Sequence, residues 1–525
     1  DGTTDGTTDS GATTPDTGLV SASTLLTIQV VDAAGNAVDD ASVDVIEDAS
    51  NVVAVADESQ NTGTGAGGIV IIEPGTFTGE ADIQVRVSKD GFNANNVPVT
   101  LGSGQSVIQT IVIAAQGAST VNGIGADDAS GSVQSAPLTI FAEAVPDINN
   151  DPGQTFVRIP ANPGATTIDG TPLSNNLTIN LTHYDADQNE SLDAFPGGFA
   201  ASASNPQDFV DSGVSTLDGA NAVDGDGFVF QTLGFASIVV TDDAGNVAEN
   251  FNSPLDLTMM IKNDAFNAAA NRNYQAGDTV PIWSFDPVEG EWQFEQVGNI
   301  VGNGSGRLVV NFQTTHLTYY ALATVRGGIC GDVTITYMLD GSSADTEVPT
   351  FTGRYSAEGY THRFTSVGGT YILRDAPASL GLTLTDAQTL DGRAISVSPA
   401  SFQCSNGQAQ SETSTVTISG TPADTYSLTV EPVSFCLAPQ EANDQPVTNS
   451  IVTLANGGNV WSGNTGADGS ALFAGLLPGT YSVRVGSNQT ATDVTIVDGS
   501  EEVELRFGQS CGGGTVTTGG SGTGG

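Results

Sequence analysis

The feature that most constrains this chain is a pattern of short alternating strands that recurs near both ends. Toward the start it runs through NAVDDASVDVI (Asn36 to Ile46), DIQVRVSKDGF (Asp82 to Phe92) and VPVTLGSGQSVIQTIVI (Val97 to Ile113). Toward the end it runs through QPVTNSIVTLA (Gln445 to Ala455), TYSVRVGSNQ (Thr480 to Gln489) and DVTIVDGSEEVELRF (Asp493 to Phe507). Apolar residues at every second position give each segment one face for a core and one for solvent. Gly, Asp and Asn between the segments supply tight turns. A period of two cannot bury its apolar side as a helix, so both stretches predict small β-sandwiches.

At 525 residues the chain exceeds what one core can serve. Gly (65) and Pro (22) are abundant but stay below the level of general disorder. The expectation is an all-β chain of serial sandwich domains with flexible Gly/Thr/Asp-rich tails. The boundaries expected are an acidic tether over 1–20, a sandwich over 21–116, a large sandwich domain over 119–327, a third over 328–433, a fourth over 434–511, and a Gly-rich tail over 512–525. Within the large domain only NDAFNAAANR (Asn263 to Arg272) suggests a short helix.

Charge narrows the partners. Lys and Arg together number 13 against 60 Asp and Glu, a net charge of −47. Such a surface repels nucleic acid and anionic membrane, and self-association needs cations to screen it. The sequence holds no apolar run long enough for a membrane-spanning helix. Four cysteines permit three pairings. Cys436 and Cys511 bracket the last module, which favours a Cys436–Cys511 bridge and leaves Cys330 with Cys404. Disulfides imply an oxidising compartment.

The stretch NTGADGSALFAGLLPGTYSVRV (Asn464 to Val485) resembles the carboxypeptidase regulatory-like family, on Asp468, Gly469, Phe473, Leu477, Pro478, Gly479, Thr480 and Tyr481. The first module shares the strand order without the Leu-Pro-Gly-Thr-Tyr element. That resemblance implies seven-stranded, transthyretin-like or Ig-like sandwiches with no catalytic residues of their own. In the middle, Trp283, Phe285, Asp286, Gly290 and Trp292, with Pro196-Gly197-Gly198-Phe199, are similar to extracellular domains of the cartilage intermediate layer protein type. There the His and aromatics downstream would pack a final hairpin. The opening DGTTDGTTDSGATTPDTG resembles the tether of a bacterial surface lipoprotein. It implies a secreted or cell-surface bacterial protein whose one membrane link is an N-terminal lipid anchor.

Two local signals carry chemistry. Thr315-His316-Leu317-Thr318-Tyr319-Tyr320-Ala321-Leu322 resembles the self-cleavage site of the autoproteolytic (GAIN-type) domains of adhesion receptors. The resemblance implies Thr318 as nucleophile, His316 as base and Leu317–Thr318 as the bond. Such an acyl shift needs a hydroxyl on a strained turn beside a base. Phe312 and Thr314 stand where that family carries cysteines. The second signal is Asp185, Asp187, Asn189, Ser191 and Asp193, oxygen ligands at alternating positions as in a loop that binds Ca2+. Glu190 and Pro196 occupy the positions where an EF-hand needs Gly and Glu. Asp147-Ile-Asn149-Asn-Asp151 and Asp224-Gly-Asp226 repeat the theme, while the competing reading is that Asp and Asn make turns.

No nucleophile elbow, metalloprotease, phosphate-loop or dinucleotide motif is present in the sequence. The expected function is therefore a non-enzymatic extracellular or cell-surface structural or adhesive protein, a filament subunit. Its partners would be itself, as a homopolymer, or other surface proteins and glycans. The alternatives are a glycan- or peptide-binding module, with Trp283 and Trp292 stacking on sugar rings, and a self-cleaving domain.

Overall fold

The structure, a computed structural model, describes residues between Thr24 and Phe507. Residues 1–23, 48–61, 73–78, 103–105, 146–152, 218–227, 341–347, 419–426, 444–450, 486–491 and 508–525, with shorter gaps, lie outside the described set. Both tails, Asp147 to Asp151 and Asp224 to Asp226 fall there, as does Cys511, and with it the Cys436–Cys511 pairing.

The described chain is built almost wholly of strands, as the alternation requires. In the first module Leu25–Asp32 lies between Ile69–Ile72 and Ser106–Ile113, the latter parallel to it. A facing sheet runs in the order Thr62–Gly63, Ser42–Glu47, Glu80–Ser88, Asn95–Gly102. Leu26, Ile28, Val30, Val43, Val85, Val87 and Leu101 fill the space between the two. The third module repeats the plan. Val333–Leu339 lies between Thr370–Leu373 and the parallel Gln410–Ile418. Its facing sheet runs Tyr360–Ser366, Phe351–Ala357, Leu382–Thr389, Ser401–Phe402. Cys330 and Cys404, the pair left once Cys436 and Cys511 are assigned to each other, form a disulfide with Cα atoms 6.2 Å apart.

The fourth module uses the same facing sheet: Asn459–Asn464, Ile451–Asn456, Gly479–Val485, Thr492–Ile496. The Leu-Pro-Gly-Thr-Tyr element earns its residues here. Pro478 and Gly479 turn the chain so that Tyr481 buries its ring and donates its hydroxyl to the Leu477 carbonyl at 2.7 Å. One boundary moves. Ser427–Pro432, expected to close the third module, pairs in parallel with Glu502–Phe507 and so opens the fourth. Period-two alternation cannot tell the last strand of one sandwich from the first of the next.

Two sheets form the middle domain. One comprises Ile124–Ser132, Asn176–Tyr184, Phe228–Asp242, Tyr319–Arg326, Thr279–Asp286 and the first part of Glu291–Gly302. The other comprises Leu138–Glu143, Gln154–Ile159, Asn250–Ile261, Leu308–His316 and the end of Glu291–Gly302. Ile179, Leu181, Ile238, Val240, Leu257 and Met259 pack between them. The first sheet is buried on its outer face as well. Phe228–Asp242 is nearly continuously buried, the mark of a strand covered on both sides. Its outer cover is an aromatic layer that includes Phe195, Phe230, Trp283, Phe285 and Trp292, and this core continues into the third module.

Asp264 to Arg272, within the stretch expected to be helical, form no helix. Phe266–Asn267 pairs with Arg272–Asn273, and the Asn267 side chain accepts the Ala270 N–H at 3.0 Å. A run of three alanines, Ala268 to Ala270, is too short to meet the cost of nucleation when a flanking Asn offers the backbone a turn. The two helices of the described residues are Asn189–Leu192 and Pro206–Asp211.

One turn recurs between modules. In Asp32-Ala-Ala-Gly-Asn36 and Asp242-Asp-Ala-Gly-Asn246 the Asp carboxylate accepts N–H groups two and four residues on, and the Asn amide as well. Gly35 and Gly245 both take φ of 83°, a left-handed position that only Gly adopts without strain. Asn246 and the turn's N–H groups hold the Asp242 carboxyl below the ordinary carboxylate range.

Candidate functional site

Leu317-Thr318 joins two strands that belong to different sheets. Leu308–His316 pairs with Asn250–Ile261 and Tyr319–Arg326 pairs with Phe228–Asp242, so the link crosses the sandwich and the expected final hairpin is absent. The crossing is pinned at each residue. Leu317 N–H donates to the Glu249 carbonyl at 3.0 Å, and Ile238 N–H donates to the Thr318 carbonyl at 3.2 Å. The Thr318 hydroxyl donates to the Phe285 carbonyl. His316 faces elsewhere, its Nε2 3.3 Å from Glu295 Oε1 and its Nδ1 3.3 Å from the Thr314 hydroxyl. Left-handed φ among non-glycine described residues is confined to Asp40, Asn162, Asn271, Asp375, Ser379 and Asp386, so no such strain sits at Thr318. Neither the strained turn nor the hydroxyl–imidazole contact that self-cleavage needs is formed at this bond. The purified chain is expected to run as one band on a denaturing gel, and Thr318→Ala to leave that pattern unchanged. Two fragments that the substitution abolishes would overturn this.

The Asp185 segment also departs from a ligand loop. Its five side chains do not face one point. Asp185 and Asp187 share the ammonium of Lys262, at 3.5 Å and 2.5 Å. Asn189 and Ser191 lie in the short helix, and the Ser191 hydroxyl donates to the Asp185 carbonyl. Asp193 turns to the third module. Among the described residues no three His, Cys, Asp or Glu groups gather as metal ligands. The cation at this place is one of the two lysines of the chain. Lys262→Met is expected to cost about 3 kcal/mol, because Asp185 is buried and loses its counter-charge. Chelator is expected to leave the melting of the unaltered chain where it was. A chelator-induced drop would restore the calcium reading.

Behind Lys262 lies a hydroxyl–imidazole–carboxylate line. The Thr155 hydroxyl is 2.8 Å from His183 Nδ1, and His183 Nε2 is 3.2 Å from Asp185 Oδ1. All three are buried, and a side chain at Gly153 would collide with both His183 and Asp185. No substrate reaches such a line, and it serves to satisfy polar groups inside the domain.

Trp283 and Trp292 are fully buried, each with its indole N–H on a backbone carbonyl: Ala323 at 3.0 Å and Pro196 at 3.1 Å. Trp292 stacks on Phe195, while Phe209 and Phe230 pack tilted or edge-on against the two indoles, which removes them as a sugar platform.

Three arginines stand instead where modules meet. Asp193, 2% exposed, accepts from Arg354 Nη2 at 2.6 Å and Nε at 2.8 Å, with Arg363 at 3.6 Å. Burial pushes the Asp193 carboxyl above its ordinary range, against the pull of both guanidiniums. Arg374 reaches Glu80 of the first module at 2.6 Å and Asp332 of its own at 3.0 Å. Asn93 of the first module donates to the hydroxyls of Thr182 and Tyr184, and Tyr319 donates to the Ala94 carbonyl at 2.6 Å. The hydroxyls of Ser106 and Ser462 lie 2.7 Å apart across the first and fourth modules. A cavity of about 820 Å³ opens at this junction, walled by all four modules. The sequence carried a signal for it: Arg354, Arg363 and Arg374 fall within one short stretch of a cation-poor chain. Net charge alone hides such a cluster.

His362 sits on this wall with Nε2 2.6 Å from the Tyr371 hydroxyl, and burial pushes its pKa down to about 4. The unfolded value is near 6.5, so this group's contribution is present above pH 6.5 and is lost as pH falls toward 4. After allowance for part exposure the loss is about 2 kcal/mol. The stability gap between the unaltered chain and His362→Gln is expected to narrow across that window in urea titrations; a constant gap would refute the assignment.

No protein-family description matches the chain, and no curated protein matches it. Solved structures give remote likenesses. The Bacillus anthracis TIE protein is 13% identical, with 54% of each chain covered and a TM-score of 0.15, so the chain spans about half of that protein's length. BcpA, the major pilin subunit of Bacillus cereus, is 8% identical, with 92% of this chain and 98% of that one covered and a TM-score of 0.15. The full-length major pilin SpaD from Corynebacterium diphtheriae is 10% identical, with 75% and 97% covered and a TM-score of 0.14. Scores this low carry no argument about what this chain does.

Proposed function

We propose that this chain is a structural subunit of the bacterial cell surface or extracellular space, built to bear load and to assemble with copies of itself, and not to turn over a substrate. The observation that carries this reading is the use made of its reactive groups. His183, His316 and His362 are each tied to a hydroxyl or carboxylate within the fold. The arginines at the junction cross-link modules that a tethered-bead arrangement would leave separate. Among the described residues no helix is long and apolar enough to cross a membrane. A lipid anchor, a surface partner and a glycan ligand belong to the same proposal as routes of attachment.

Net charge sets the condition for assembly. At −47 the copies repel, and repulsion between exposed charges is screened within about 8 Å at physiological ionic strength. Negative-stain microscopy across a salt series, with and without divalent cations, tests the reading. Filaments that lengthen as salt rises are expected; monodisperse particles under every condition would remove the filament claim.

A further inference from the structure

The junction cavity is walled by strand edges. Asn95–Gly102 and Ser106–Ile113 of the first module, Tyr360–Ser366 and Thr370–Leu373 of the third and Asn459–Asn464 of the fourth all contribute residues to it. Each is the terminal strand of its sheet among the described residues. An edge strand presents backbone N–H and C=O groups that another extended chain can pair with, and proteins ordinarily cover or blunt such edges. Here five converge on one cavity. The Thr361 hydroxyl and one oxygen of Asp193 lie buried on its wall without a hydrogen-bond partner, capacity that the fold itself does not use.

Charge selects the occupant. Arg363 lines the cavity, a quarter exposed, with Asp193 at 3.6 Å as its ion-pair partner, and Arg354 holds that same carboxylate more closely. Burial pushes the Arg363 guanidinium below its ordinary pKa. A carboxylate entering the cavity would complete its coordination. Residues 512–525 carry no ionisable side chain, whereas residues 1–23 carry Asp1, Asp5, Asp9 and Asp16 and no Lys or Arg. Seven threonines in that segment favour extended backbone over helix. Twenty-three extended residues reach roughly 75 Å, enough to pass from one copy into another.

We propose that the N-terminal segment of a second copy of this chain inserts into the junction cavity as an added strand, with an aspartate on Arg363. This rests on the self-assembly reading and names the contact that makes it. Light and isotopically heavy full-length chains, each with a photo-reactive residue in place of Thr13, are mixed, irradiated and digested. Mixed-mass cross-links on Ser106–Ile113 or Tyr360–Ser366 are expected. Arg363→Gln is expected to raise the concentration needed for assembly at least tenfold at a temperature where the variant is still folded, and Arg363→Lys, which keeps the charge beside Asp193, to recover most of that loss. Cross-links within one copy alone would overturn the insertion between copies, as would cross-links that fall elsewhere. Microscopy of the same samples separates the two claims. Filaments without these links leave the assembly reading standing and remove this contact. These links without filaments keep the contact and remove the filament.

Discussion

Replacing Asp193 with Ala should destabilise the protein by about 3–5 kcal/mol, the cost of leaving buried charge unpaired. Asp193 follows the short helix of the middle domain, and its partners Arg354 and Arg363 stand on strands of the third module. The substitution leaves two guanidiniums facing a space that held their shared anion. Asp386 still reaches Arg354, but it is half-exposed, and Arg363 has no comparable substitute. The loss should therefore appear first in the third module, as a lowered urea midpoint for a probe placed there. A double-mutant cycle with Arg354→Met separates the pair from its surroundings, and a coupling near zero would show that the junction does not rest on it.

Trp283→Ala should cost about 3–5 kcal/mol, the range for removing a large aromatic from a packed core. Phe209, Phe228, Phe230 and Phe294 lie with ring centroids 5.0 to 5.4 Å from the indole, so one truncation opens a void touching four rings. The Ala323 carbonyl loses its donor as well. Trp283→Phe keeps most of the volume and gives up the hydrogen bond, for a loss of about 1–2 kcal/mol. Because this layer continues into the third module, both changes should also loosen that interface, visible as faster amide exchange across Phe351–Ala357. Unchanged exchange there would mean that the aromatic layer stabilises the middle domain alone.

Strand-rich architecture was legible because period-two alternation is a local property. The same holds for the turn at Asp32 to Asn36 and for the Leu477-to-Tyr481 corner, where residues a few positions apart define the bond. The helix expected over Asn263 to Arg272 failed because a weak local propensity met an Asn-capped turn. The His316-Leu317-Thr318 and Asp185 signals are of a different kind. Each motif specifies residue types, whereas the chemistry depends on where a distant segment places its atoms: the Phe285 carbonyl at Thr318, Lys262 between two aspartates.

By itself, then, the sequence determined that this chain would form serial sandwiches, those near its two ends of one repeated plan, thinly cored and strongly acidic. Alternation, turn residues and composition act within a few residues of one another, so they survive without knowledge of the fold. What only the tertiary structure decided is that the sandwiches lock together through Asp193, Arg354 and Arg374 around a cavity walled by strand edges. Those contacts join residues separated by more than a hundred positions, and no local pattern encodes which buried charge will meet which.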